Sequence, residues 1–277
     1  MSKDNNDKIL KRSLSTLLKR FSQTNVISQI EKEYQTTFHN VISLSDIQDN
    51  HILKNIKINK NKINETIEKI KSKGFKSFLV VSHLDNKYEI IYPRLSYYAL
   101  KELDYNEVPV FIYDCNEEEM LFILANWIRN NASKDIVELS FVLSKLEKKY
   151  HYQQKDLAVL MSLSRSQITN IIRLKKMPNF VLNEVIDNKL SFGHARSLAK
   201  LNEEEMKRMI DEIYSNKYSC RDVEKIIYCM KNNVDFKNLE ERINKKYRCQ
   251  TNINKNRIIL SFSNEEDLNK FIKKINK

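Results

Sequence analysis

Glycine is almost missing from this chain of 277 residues: only Gly74 and Gly193 occur. A G-x-G-x-x-G dinucleotide turn, a phosphate-binding P-loop, a kinase glycine-rich loop and a G-x-S-x-G nucleophile elbow each need closely spaced glycines, so none can be written. With only three prolines as well, the chain has few breakers, and long stretches with apolar residues three and four apart predict a mostly helical protein. The cysteines, Cys115, Cys220, Cys229 and Cys249, form no C-x-x-C pair and lie too far apart in sequence for a zinc site, which predicts reduced structural thiols and no metal. No apolar run of about 18 residues exists and no apolar leader segment opens the chain, so a cytoplasmic protein is expected.

What is abundant is positive charge. Lys and Arg number 48 against 36 Asp and Glu, a formal net charge of +12. That balance favours a polyanionic partner or an acidic membrane surface. With 41% hydrophobic residues the chain has the apolar content for real cores, in one large domain or a few small ones.

Residues 1–36 form a polar, basic head. Within it Leu10, Leu14, Leu17, Leu18 and Phe21 share one face of a short amphipathic helix. Such a helix suits a protein partner or, through its cations, anionic lipid; five apolar side chains give only marginal lipid affinity, which favours the protein. Residues 37–116 read as a small α/β domain, with strands at Phe78–Ser82, Tyr88–Tyr92 and Val108–Ile112. Residues 117–232 read as helical, and a lysine-rich stretch around 231–238 reads as a linker. In the tail, 239–277, Ile258, Leu260 and Phe262 alternate as a strand face. Ser263 and Glu266 have capping-box spacing, and Leu268, Phe271, Ile272 and Ile275 form a helical stripe. About 40 residues are too few to bury that surface, so the tail predicts self-association into a dimer. The expected fold class is α+β, mostly α.

The most specific pattern lies at residues 153–174. From Gln154, small Ala158 falls where two helices cross, Leu163 plugs a turn, and Ile168 and Ile171 face inward from a second helix, as in a helix-turn-helix. Ser162 stands where the turn favours glycine, which predicts modest backbone strain. Capped by Ser164, the second helix presents Arg165, Ser166 and Gln167 in its first turn, with Thr169, Asn170 and Arg173 farther along. These side chains suit double-stranded DNA: Arg pairs with guanine, Gln and Asn with adenine, Ser and Thr with bases or phosphate. Lys175 and Lys176 add backbone attraction, and Gln154 and Ser164 belong to the same expected DNA-binding set. A plain α-hairpin with a solvated face has the same apolar spacing; the polar first turn and the overall charge favour the DNA reading.

With these residues in view the chain resembles the ParB family of chromosome and plasmid partition proteins. The segments Leu174–Pro178, Lys189–Arg196 and Tyr218–Lys225 are similar to the family's L-L-K-L-P, L-S-x-G-H-A-R and L-S-V-R-E-V-E runs. The resemblance implies a small N-terminal α/β domain, a helical DNA-binding domain and a C-terminal dimerisation domain. It further implies binding to a centromere-like inverted repeat called parS, at the nucleoid, with Ser191, His194 and Arg196 in a segment supporting that contact and Arg196 as a phosphate ligand. By residue chemistry His194 is read as structural, since no ligand cluster surrounds it.

The family also binds and hydrolyses CTP, with Mg, and closes as a clamp. Here the corresponding boxes are eroded. Pro93–Ala99 stands for G-E-R-R-x-R-A and keeps only its alanine and a displaced Arg94. Ala125–Arg129 stands for E-N-x-Q-R and keeps Asn126 and Arg129, and Gly74–Phe78 keeps only Gly74 of G-V-L-Q-P. Loss of both glycine and paired arginines removes the basis for tight triphosphate binding, so weak or absent CTPase activity is expected. Structural retention is the other reading of Arg94, Asn126 and Arg129. The head is similar to the peptide with which the family stimulates a ParA-type ATPase, which makes Lys11 or Arg12 the expected activator. Two other readings remain: a nucleoid-occlusion or transcription factor of the same fold whose head touches membrane, and a working CTP-dependent clamp.

Overall fold

The structure, a computed structural model, describes residues 40–130, 135–232, 234–254 and 257–275. The expectations for the head, including Lys11 and Arg12, lie outside the described residues. The chain divides into two compact units, one reaching Phe192 and one starting at Gly193. The sheet and the helix-turn-helix lie in the same unit.

In the first unit the strands are β1 (Asn40–Ser43), β2 (Ile47–Gln48), β3 (Leu79–Leu84), β4 (Lys87–Tyr92) and β5 (Glu107–Ile112). They form one mixed sheet in the order β1-β5-β3-β4-β2. β3 runs parallel to β5 and antiparallel to β4, and β1 closes the edge antiparallel to β5. Leu79, Val80 and Val81 are fully buried, as a central strand covered on both faces requires. Helices α1 (Lys60–Lys73) and α2 (Arg94–Glu102) contribute Ile63, Ile70, Tyr97, Ala99 and Leu100 to a core shared with Leu79, Val81, Ile90, Val108 and Val110. α1 starts on the Asn59 side chain, which accepts from Lys62 N, and stops at Gly74, whose φ of 71° is a conformation L side chains rarely adopt.

Helices α3 (Glu117–Asn130), α4 (Ile136–Lys149), α5 (Gln154–Leu160), α6 (Arg165–Leu174) and α7 (Asn179–Ile186) follow. Every residue of α3 from Met120 to Asn126 is buried, so α3 is the apolar wall between sheet and helices. α4 packs on both α3 and α6. Its N-terminus is capped by Asp135, which accepts from the amides of Val137 and Glu138 at 3.2 Å each.

The second unit holds α8 (Phe192–Leu198) from its second residue on, α9 (Glu203–Asn216), α10 (Cys220–Asn232), α11 (Phe236–Tyr247), β6 (Cys249–Asn254), β7 (Arg257–Phe262) and α12 (Glu265–Ile275). The expected linker at 231–238 is corrected: α10 runs to Asn232, and α11 begins at Phe236 with Asp235 as its cap, leaving residues 233–235 between. Its polar composition concealed a sparse helical stripe of Phe236, Leu239, Ile243 and Tyr247, of which Phe236 stacks on Tyr228. The tail strand is one arm of an antiparallel hairpin whose other arm, β6, the sequence did not reveal. The cap of α12 is Asn264 rather than Ser263; its Oδ1 accepts from Asp267 N at 2.8 Å.

Candidate nucleic-acid interface

α5 and α6 meet through buried Leu157, Ala158, Leu160, Ile168, Ile171, Ile172 and Leu174. Leu163 donates its amide to Ala158 O at 2.9 Å, which closes the turn. Ser162 has φ 48°, the left-handed backbone expected there, at a cost of about 1 kcal/mol for a residue with a Cβ. Ser164 and Gln167 cap α6 reciprocally. Ser164 Oγ accepts from Gln167 N at 3.2 Å, and Gln167 Oε1 accepts from Ser164 N at 2.8 Å. Ser166 Oγ lies 3.0 Å from Ser164 Oγ.

The proposed reading side chains therefore fall into two sets. Arg165, Ser166, Gln167, Arg173 and Lys176 are exposed. No described residue pairs with the Arg165 or Arg173 guanidinium. Gln167 has committed its carbonyl to the cap and has only its amide donor to offer outward. The second set is drawn inward. Thr169 Oγ1 donates to Gln154 Oε1 at 2.5 Å and lies 2.9 Å from Arg165 O, while Gln154 Nε2 donates to Glu147 Oε1 at 2.8 Å. Thr169 and Gln154 thus fix the angle between α4, α5 and α6, and Asn170 is half-buried beside them. Lys175 holds its ammonium 5.0 Å from the Phe141 ring centroid, and burial, with Lys148 and Lys145 nearby, lowers its pKa.

In the first unit Ser191 is exposed just before the boundary. In the second, His194 donates from Nε2 to Tyr218 O at 3.1 Å. Arg196 is exposed and already paired with Glu224, so a phosphate there competes with a carboxylate.

The residues that stand for the nucleotide boxes are spread over different surroundings: Arg94 lines one cavity and Arg129 another. Arg94 is buried: its Nε and Nη2 donate to the two oxygens of Asp49 at 2.8 Å each, Nη2 donates to Leu53 O at 2.8 Å, and Nη1 donates to Glu138. Burial alone would lower its pKa, but Asp49 and Glu138 raise it, so the charge is permanent and fully used. Asn126 is buried on α3, donating to Phe122 O at 3.0 Å; Gly74 caps α1, and Arg129 is half-buried near the end of α3. Pro93, Arg94, Trp127 and Ile128 line a cavity of about 40 Å³ together with the carboxylates of Asp135 and Glu138. Ligand pockets run to roughly 300–1,000 Å³. Burial pushes the Glu138 carboxyl up to about 7 against the pull of Arg94, and it raises Asp135 as well. A tight cavity lined by Asp135 and Glu138 against Lys62, with its arginine saturated, offers a polyphosphate one further cation against two carboxylates and is a poor fit for it.

In the tail, Ile258, Ile259, Leu268, Ile272 and Ile275 are exposed, while Leu260, Phe262 and Phe271 are half-buried. Phe271 packs against Tyr247 and Phe262. Ile258, 59% exposed, and Ile259, 49% exposed, lie on opposite faces of β7 and leave an apolar side chain uncovered on each in this unit.

Sequence reading missed two polar hubs. One is the Arg94 cluster, although a cation in the first turn of a helix, where the macrodipole disfavours it, signals a waiting carboxylate. The other is Glu117: burial alone would raise its pKa, but bonds from Lys149, Tyr150, His51 and Lys145 hold it well below the usual carboxylate range. His51 also binds Glu89 through Nδ1 at 2.6 Å, tying β4 to α3. Nothing in local spacing marks that set.

Residues 28–126 match the model of the ParB N-terminal domain, and residues 134–232 match that of the ParB HTH domain. The chain is 28% identical over 231 residues to a probable chromosome-partitioning protein ParB of Campylobacter jejuni, covering 83% of this chain and 81% of that one. It is 27% identical over 189 residues to the corresponding protein of Borreliella burgdorferi, covering 67% and 71%. Among solved structures it is similar to the C-terminally truncated ParB of Caulobacter crescentus complexed to the centromeric parS site. That likeness has 18% identity and a TM-score of 0.42, and covers 68% of this chain and 98% of that one.

Proposed function

The chain belongs to the ParB family, and from that premise we propose that it is a chromosome-partition protein that binds a parS-type inverted repeat as a dimer. The observation that carries this reading is the first turn of α6. A reciprocally capped helix N-terminus displays Arg165 and Ser166 to solvent, with Arg173 on the exposed side and no described partner on either guanidinium. A positive helix end with uncommitted arginines is suited to phosphates and to guanine edges in the major groove. Two such helices related by a two-fold axis make an inverted repeat the matching target. The exposed Ile258, Leu268, Ile272 and Ile275 support a second copy of the tail as the means of pairing.

Phosphate attraction comes from the net charge of +12, which also favours nucleoid association. The basic head, with Lys11 and Arg12, is assigned to a ParA-type ATPase. Deleting residues 1–22 is expected to abolish stimulation of that ATPase and leave duplex binding intact; unchanged stimulation overturns the assignment. The site itself is tested by genome-wide mapping of bound DNA. Discrete inverted repeats clustered in one region support partition, and binding scattered over promoters overturns it in favour of transcriptional regulation.

A further inference from the structure

Arg94 does more than fill the place of a lost nucleotide box: it joins parts of the chain that the family assigns to different domains. Asp49 and the carbonyls of Leu53 and Ile56 lie within the N-terminal match, 28–126, whereas Glu138 lies within the DNA-binding match, 134–232. All three guanidinium nitrogens are engaged, reaching both Asp49 oxygens, both carbonyls and Glu138. The side chain is only 5% exposed. Glu138 sits in the first turn of α4, and α4 packs directly on α6. A second tie spans the same two parts elsewhere: Asn59, the cap of α1, donates from Nδ2 to Ile186 O at 2.7 Å in a buried bond, and Lys57 pairs with Asp187 at 2.6 Å.

We propose that Arg94 is a fixed cross-tie, a positioning residue that stands in place of a nucleotide between the sheet and the DNA-binding helices, so that the chain holds its DNA-binding form without nucleotide control. A guanidinium covalently part of α2 cannot dissociate, and breaking its contacts strands two mostly buried carboxylates without their counter-charge. A nucleotide in that cavity would have to displace the guanidinium and set its own phosphates beside Asp135 and Glu138, with Lys62 the one other cation of the lining. The inference rests on the DNA-binding reading only for its functional consequence.

Trp127 is the single tryptophan of the chain; it lines the cavity and stacks on Tyr92 at 4.2 Å, which makes its fluorescence a direct reporter. Titrating the full chain with CTP and Mg to millimolar concentration is expected to give no saturable fluorescence change and less than a twofold change in affinity for its selected duplex. Saturation at micromolar CTP, or a tenfold change in duplex affinity, overturns the proposal. Arg94→Lys, which cannot fork onto Asp49, is expected to speed amide exchange in α4 and α6 at least tenfold and to weaken duplex binding about tenfold, with β3 to β5 still protected. Exchange and affinity equal to wild type overturn it. Should Arg94→Lys not fold, Glu138→Gln is read instead: faster exchange in α4 supports the cross-tie and unchanged exchange refutes it. A wild-type chain with no duplex preference counts against the DNA reading alone, because the fluorescence and exchange arms still decide the cross-tie.

Discussion

The hydroxyl of Thr169, on the reading helix, donates to the side-chain carbonyl of Gln154, on the helix before it, across 2.5 Å. The amide end of Gln154 continues the chain to Glu147 on α4. Three helices are thereby set by polar bonds at one corner, while apolar packing sets the rest. Thr169→Val keeps the shape and removes the donor, leaving Gln154 Oε1 short of a partner. It is expected to cost about 1 kcal/mol in urea unfolding and to weaken duplex binding several-fold without altering base preference. A change of preferred sequence would instead place Thr169 among the base contacts.

Ser162 holds a left-handed backbone in the turn, φ 48°. Glycine adopts that conformation without the Cβ penalty, so Ser162→Gly should raise unfolding stability by about 1 kcal/mol and leave duplex affinity within twofold of wild type. Loss of stability would mean that the serine side chain contributes more than the strain removes.

The helix-turn-helix was legible because its information is local. Ala158, Leu163, Ile168 and Ile171 sit at spacings fixed by one turn and two helices, and Ser164 followed by Gln167 is a cap written within four residues. The exposure of Arg165 and Arg173 follows from the same geometry. The inward turn of Thr169 does not, because its partner Gln154 lies on another helix. β1 and β2 were hidden by their shortness and by pairing with strands far along the chain. α11 was hidden because a helix in a small unit needs only a thin apolar stripe. The partners of Arg94 were hidden, since Asp49 and Glu138 approach it from positions more than 40 residues away on either side.

Glu138 gives stability a pH dependence of definite sign. Burial raises its folded pKa from an ordinary 4.5 to about 7, so between those values the folded chain binds more protons than the unfolded one. Stability therefore falls as pH rises from about 5 to about 7, by at most about 3 kcal/mol. Urea unfolding across that range should show the decline in wild type and a much flatter profile in Glu138→Gln. Asp135, also raised, leaves some residual slope of the same sign.

The tail should behave as an association surface. Ile272 is 45% exposed on α12, so Ile272→Asp leaves the monomer fold intact while placing a charge in the proposed contact. Sedimentation is expected to show a dimer for wild type and a monomer for the variant. Binding to a two-half-site duplex should drop at least tenfold and binding to a single half-site should not. A variant that remains dimeric would move the interface elsewhere.

Specific DNA binding by this chain depends on the exposed arginines of α6. Its most direct test is equilibrium binding, at moderate salt, of wild type and of the Arg165→Ala, Arg173→Ala double variant to a duplex selected by wild type from genomic fragments, against scrambled competitor. Wild type is expected to prefer the selected duplex by at least about 1,000-fold, the lower end of the usual range for specific readers, and the double variant to fall to near the competitor level. Equal preference in both proteins would contradict that dependence.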